Sequence, residues 1–387
     1  MAFEGRKTGP EEEEACEEGR GGKLAIEIIA EFVQGISVRA TVNPGRVSMR
    51  LVRTAFRLIV PFALTTCLSG VIFGAHAAAV AETGGSDFVA IGIDPSQLHD
   101  SGNWQRNDIF RTPACQYDDH RVEADRQLNA MRLSGQKKLG TTLWFMNLQD
   151  ARNCSGFVLN SNGGHLTDTV LNNLHHLLQT AASLGFDEVQ LRFAPMGGNK
   201  PMGWAGWEQN VYAENWELID STISAVSGWH GPRVVYDLSA GLGGLHGPGC
   251  PECEPYAKQL WSDYLKKFSS RDSYGFSINV APGRVRQELL DLQQAGGLPD
   301  EIGITTYHPA HPGIRLAAEE MRSVGVNLPI LIQETPYNDT DMYRAIVNQA
   351  QQNGVEIRAI MQWPVMRDAG VHITESSTPA YPYGRTN

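Results

Sequence analysis

The segment Pro329-Ile330-Leu331-Ile332-Gln333-Glu334-Thr335 is a short apolar run that ends in a carboxylate. It reads as a buried strand that carries an acid to its C-terminal end, where a carboxylate can serve as nucleophile or general base. Similar runs recur along the chain, and they too end in polar or aromatic groups: Asp94, Asn147, Asn199, Asp237, Asn279, Tyr307, His308, Gln333, Gln362 and Trp363. If the strands are parallel, these groups meet on one rim. Amides, hydroxyls and carboxylates with a few aromatic rings suit a saccharide, whose hydroxyls need fixed donors and acceptors and whose apolar face stacks on a ring. Arg192, one strand from Asp237, is placed to position substrate and to pair with either acid. Trp204 and Trp207 follow the third strand and Trp216 comes soon after, as a stacking wall or as packing of the loop onto the body.

The elements that must hold this rim follow a strand–helix rhythm. Strands are expected at residues 88–93, 141–146, 188–193, 233–238, 274–280, 302–308, 329–334 and 357–364. They are short, apolar and often β-branched, as in strands buried on both faces. Helical spacing lies between them, most clearly over residues 166–184, where Val170, Leu174, Leu177, Leu178 and Ala181 share a face. Alternation of this kind predicts a parallel sheet. Eight repeats predict closure into a single (β/α)8 TIM barrel, whose active site lies at the C-terminal strand ends. Gly241, Gly243 and Gly244 follow a strand without completing a phosphate-binding fingerprint.

The chain has 387 residues and a formal net charge of −11. No basic stretch is interleaved with aromatics, which argues against a nucleic-acid partner. Around Met49 a secretory signal pattern begins: Arg50, Arg53 and Arg57, an apolar run from Leu58 to Phe73, then Ala75-His76-Ala77 as the cleavage motif. Pro61 and Gly70 interrupt the run, which is short for a membrane span. The expected organisation is therefore an N-terminal extension over 1–48, disordered or misassigned, a signal peptide over 49–77, and the barrel over 78–387. Export, secreted or periplasmic, permits disulfides. Cys115 and Cys154 fall in the loops after the first and second strands. Cys250-Pro251-Glu252-Cys253 is a C-x-x-C in a Gly- and Pro-rich loop, without a thioredoxin-like unit or further zinc ligands, and is expected as a structural disulfide. His308 and His311 form an H-x-x-H in a proline-containing loop rather than on a helix. No metal or other cofactor is assigned.

From Phe88 to Pro364 the sequence resembles the (β/α)8 glycoside hydrolases of the retaining group called clan A. Glu334 ends the seventh strand, where that group carries its nucleophile. Tyr307 ends the sixth, where the group often has a tyrosine bonded to the nucleophile, and Trp363 ends the eighth, where a tryptophan often floors the sugar site. The resemblance implies an enzyme that cleaves O-glycosidic bonds of a polysaccharide or oligosaccharide, and the signal pattern implies its export. One departure stands out. The group's acid/base glutamate, commonly after an asparagine, belongs on strand four, which here reads Val235-Tyr236-Asp237-Leu238-Ser239. Glycosidic cleavage ordinarily uses two carboxylates, ~5–5.5 Å apart in retaining and ~6.5–9.5 Å apart in inverting enzymes. Asp237 is the first candidate for the acid, then Glu208 and Glu214, then Asp94. Two other readings remain: a carbohydrate-binding protein on a barrel that has lost its acid, and a metal-dependent hydrolase built on His308, His311 and Asp237.

Overall fold

A computed structural model describes residues 84–88, 91, 112–240, 250–337 and 339–363. All described residues belong to one compact unit within residues 75–387. The expected extension, signal segment, Asp94, Pro364 and Gly241–Gly244 lie outside the described residues.

The barrel strands are β1 (Gly84–Asp87), β2 (Lys138–Met146), β3 (Glu188–Pro195), β4 (Arg233–Asp237), β5 (Ser277–Asn279), β6 (Ile302–Thr305), β7 (Ile330–Thr335) and β8 (Ile357–Gln362). Between them run α1 (Arg121–Leu133), α2 (Asp168–Leu184), α3 (Gln209–Val226), α4 (Cys253–Lys267), α5 (Arg284–Gln294), α6 (Gly313–Ser323) and α7 (Thr340–Asn353). Pairing is parallel all round: β1 with β2 and β8, β2 with β3, β3 with β4, and β5 through β8 in order. The ring closes between β4 and β5 through a Tyr236–Ser273 bridge and the Leu238 N–H, which donates to the Gly275 carbonyl at 2.9 Å. The fold is the expected (β/α)8 barrel.

Two details depart from the sequence reading. The first described strand is Gly84-Gly85-Ser86-Asp87, just before the expected run from Phe88, most of which (89, 90, 92 and 93) lies outside the described residues. Its glycines suit a close approach: a Cβ on Gly85 would sit 1.7 Å from the Lys138 carbonyl oxygen. A short antiparallel hairpin, Cys154–Ser155 with Val158–Asn160, is also added beside the end of β2. It carries Cys154, bonded to Cys115 across a Cα separation of 6.1 Å, and Cys250 is bonded to Cys253.

Side-chain alternation fills the interior in layers. At the N-terminal end, Lys138 meets Glu188 at 2.9 Å and Arg358 meets Glu301 at 2.9 Å. Above them Val235, Tyr274, Leu331, Ala359 and Met361 form a dry plug. The apolar faces of the helices cover the outside. In α2, Val170, Leu174, Leu177, Leu178 and Ala181 are all buried, and Gly185 ends the helix at a left-handed φ of 79°. The plug stops solvent from passing through the barrel, so polar groups above it face only the C-terminal mouth.

Candidate functional site

Arg192 is the hub of that mouth. On β3 it follows Gln190 by two residues and points inward, with its side chain 2% exposed. Each of its three nitrogen positions meets a different carboxylate: Nη1 reaches Asp87 at 3.1 Å, Nε reaches Asp237 at 3.4 Å and Nη2 reaches Glu334 at 2.6 Å. These acids come from β1, β4 and β7, so one planar guanidinium ties three strands. Burial alone would lower the Arg192 pKa. The charges of Glu334, Asp87 and Asp237 outweigh it and hold the guanidinium firmly protonated.

The three acids differ in access. Asp87 and Asp237 are fully buried, whereas the Glu334 side chain is 19% exposed. Burial is the largest influence on Asp87; with repulsion from Glu334 and Asp237 it outweighs Arg192 and pushes the carboxyl up to about 7. Burial raises Asp237 too, against the opposing pull of Arg192, Ser277 and the Ser239 N–H. Asp237 takes hydrogen bonds from the Ser277 hydroxyl and from the Ser239 backbone N–H. Its oxygens are thus occupied beneath the rim.

Glu334 owes its aim to a bulge. Along β7, Ile332 pairs with Ile304 and the next pair is Glu334 with Thr305, so one extra residue is inserted. The same extra residue appears against β8. The inserted residue is Gln333, which is fully buried, and the bulge turns Glu334 to the mouth. One carboxylate oxygen of Glu334 accepts from Arg192 and the other from the Tyr307 hydroxyl. Burial of its hydroxyl end and the adjoining Glu334 charge raise the Tyr307 pKa well above the usual phenol value. Tyr307 therefore remains a donor across the neutral range.

Two cavities flank this pair. The first, about 320 Å³, is lined by Asn279, Thr306, His308 and His311 together with Arg192, Tyr307 and Glu334. The second, about 260 Å³, shares those last three and adds Trp144, Ala240 and Trp363. Trp363 meets Trp144 edge to face at 6.3 Å, and the Arg192 guanidinium lies 5.7 Å from its ring centre. One side of Glu334 is therefore polar and the other aromatic.

Of the residues singled out in the sequence, Glu334, Arg192, Asn279, Tyr307, His308 and Trp363 converge here. Others sit elsewhere. The Asn147 side chain donates to Glu214 at 2.9 Å, and its backbone N–H donates to Asn199 at 2.9 Å. Asn199 donates in turn to Asn215 at 2.7 Å. Trp204 is buried with its indole N–H on the Gly198 carbonyl, and it packs edge-on against Trp207 at 5.8 Å. These tryptophans fasten the loop after β3 and line neither cavity. Among the described residues no three His, Cys, Asp or Glu side chains gather where they could hold a metal ion. Asp87 was not singled out in the sequence. Its only signal there is a polar residue just before an apolar run, which many surface turns share.

No protein-family model and no curated protein sequence matches the chain. Solved structures do. A GH5_18 protein of Bifidobacterium longum subsp. longum, solved with Manb1-4GlcNAc, aligns at a TM-score of 0.50 and 12% identity, over 78% of this chain and 76% of its own. Another structure of GH5_18 from that organism aligns at 0.49 and 14% identity, over 80% and 77%. The exo-beta-1,4-mannosidase Op5Man5 from Opitutaceae bacterium strain TAV5 aligns at 0.43 and 14% identity over 74% of this chain, which spans about half (51%) of that protein. These likenesses are likenesses of fold, and the fold they share with this chain is the (β/α)8 barrel.

Proposed function

We propose that this protein is an exported glycoside hydrolase acting on a neutral polysaccharide or oligosaccharide, with Glu334 as nucleophile or general base. The observation that carries the reading is the setting of Glu334. It is a rim carboxylate, held at both oxygens by Arg192 and Tyr307, partly exposed, and shared by a polar and an aromatic cavity. A fixed carboxylate between hydrogen-bonding groups and a stacking ring matches what an oxocarbenium-like transition state requires. Three acids share one guanidinium, so the mouth carries excess negative charge that would repel uronates. This favours a neutral sugar. Trp363 would stack against the ring, and Asn279 and His308 would bind hydroxyls.

Asp237 is the weaker part of the reading, because it is sealed beneath the rim. Among the described residues lining the cavities, the histidines are the other groups able to carry a proton to a leaving oxygen near neutral pH. The His308 Nδ1 accepts from the Ala310 backbone N–H at 3.2 Å, so that ring nitrogen is taken up by the loop. His311 is therefore assigned the proton donor. A carbohydrate-binding role without catalysis is the second reading, favoured by the absence of a second carboxylate among the described residues lining either cavity. Export through the segment from Met49, with cleavage near Ala77, accords with the two disulfides; the N-terminus of the mature protein reports on it directly.

The test is hydrolysis of a polysaccharide panel, including β-mannan and uncharged glucans, by the full chain and by Glu334→Gln and His311→Gln. Product from the wild type, with a loss of roughly a hundredfold or more in Glu334→Gln, supports the assignment. Glycan binding without product in any of the three proteins replaces hydrolysis with the binding reading.

A further inference from the structure

Asp87 is a buried carboxyl that the chemistry proposed above does not use. Three observations give it a role. Its Oδ2 accepts from Arg192 Nη1 at 3.1 Å, on the same guanidinium that holds Glu334 at 2.6 Å. Its Oδ1 is buried with no hydrogen-bond partner. The neighbouring strand makes room for it by having no side chain: a Cβ on Gly140 would fall 1.8 Å from Asp87 Oδ1. A buried carboxyl with one unsatisfied oxygen is costly unless it serves something.

We infer that Asp87 is a positioning residue that steadies Arg192 for Glu334, and that gain or loss of its proton changes how much of the guanidinium charge Glu334 receives. This rests on the reading of Glu334 as the reacting carboxylate. When Asp87 is ionised, one positive charge is divided among three carboxylates, and Glu334 keeps more of its electron density as nucleophile or base. When Asp87 is protonated, the guanidinium serves Asp237 and Glu334 alone, and Glu334 is the weaker base. Among the described residues, titratable and charged groups face Asp87 from every side of the mouth. Arg192 lies on β3, Asp237 on β4, Tyr274 before β5, Tyr307 after β6 and Glu334 on β7. β2 faces it with Gly140, and the charged residue of β8, Arg358, lies at the opposite end of the barrel on Glu301. Burial and the two neighbouring acids bring Asp87 to about 7, inside the range where the switch is used.

Asp87→Asn keeps an acceptor for Arg192 and cannot ionise; Asp87→Ala removes both properties. On whichever panel substrate is cleaved, wild-type kcat should rise through an ionisation near pH 7, and Asp87→Asn should show no such step while KM stays within about twofold. Asp87→Ala should lose tenfold or more in kcat at every pH. Profiles of the same shape in wild type and Asp87→Asn would overturn the inference. A second readout does not depend on turnover. The wild-type melting temperature should fall as pH rises from 5 to 8, and that of Asp87→Asn should change less. Parallel melting curves would overturn the inference too. Differing melting curves with no hydrolysis by the wild type would instead refute the hydrolase reading and leave the link between Asp87 and Arg192 in place.

Discussion

Replacing Arg192 by lysine tests whether the rim depends on a planar fork or only on a positive charge. The guanidinium meets Asp87, Asp237 and Glu334 at 3.1, 3.4 and 2.6 Å from three separate nitrogen positions. An ammonium is a single point of charge and can satisfy one of these acids well. Two charge-assisted contacts to buried or half-buried carboxylates are lost, each worth ~1.5–3 kcal/mol. The loss is limited because Asp87 can discharge itself by taking up a proton. It holds its proton to about 7 in the folded chain, against an ordinary 3.8. Between those values the folded state carries one more proton than the unfolded state, so stability from this group is lost as pH rises through neutrality. Below about 7 Asp87 in the folded chain is mostly neutral and needs no cation. The expected cost of Arg192→Lys is therefore ~3 kcal/mol or more at pH 8 and roughly half that at pH 5.5. At ~2 °C per kcal/mol for a domain of this size, the melting temperature should drop by about 6 °C and about 3 °C. Circular dichroism melts of wild type and variant at both pH values supply the four numbers. Equal drops at the two values, or none at pH 8, would refute the shared-guanidinium argument.

Other outcomes follow from the same geometry. Tyr307→Phe removes the hydroxyl that donates to Glu334 while leaving the ring in place. Activity should fall about tenfold, stability should change by no more than ~1 kcal/mol, and unchanged kcat would remove Tyr307 from the site. The disulfide between Cys115 and Cys154 closes a stretch with a sequence separation of 39. Loop-closure entropy predicts that Cys115→Ala with Cys154→Ala costs about 4 kcal/mol; urea unfolding measures it, and a cost under ~1 kcal/mol would show that the hairpin is anchored by other contacts.

Much of this barrel was legible in the sequence because fold class depends on patterns local to the chain. Apolar β-branched runs that end in polar residues fix parallel, doubly covered strands, and a 3.6-residue apolar spacing fixes helices such as α2. Glu334 was visible for the same reason: a carboxylate directly after Ile-Leu-Ile-Gln breaks an apolar run. The stretch Gly84–Asp87 was not read as strand because Gly-Gly-Ser-Asp has no strand pattern. It is a strand only because its glycines allow Gly85 to lie against the Lys138 carbonyl, a condition set by β2, more than fifty residues away. Trp204 and Trp207 show a different limit. Composition cannot show which way an indole points: Trp204 is buried with its N–H on the Gly198 carbonyl, whereas Trp207 stays 38% exposed.

By itself the sequence determined the order of strands and helices, and it singled out the rim and Glu334 as candidates. Only the tertiary structure decided how the acids differ. Closure of the ring brings Asp87, Asp237 and Glu334, up to 247 residues apart in sequence (334 − 87), onto one guanidinium. A bulge in β7 then turns one of them outward, while burial leaves the other two beneath the rim. Charge sharing and solvent access depend on distances through space, and these exist only once the chain has closed on itself.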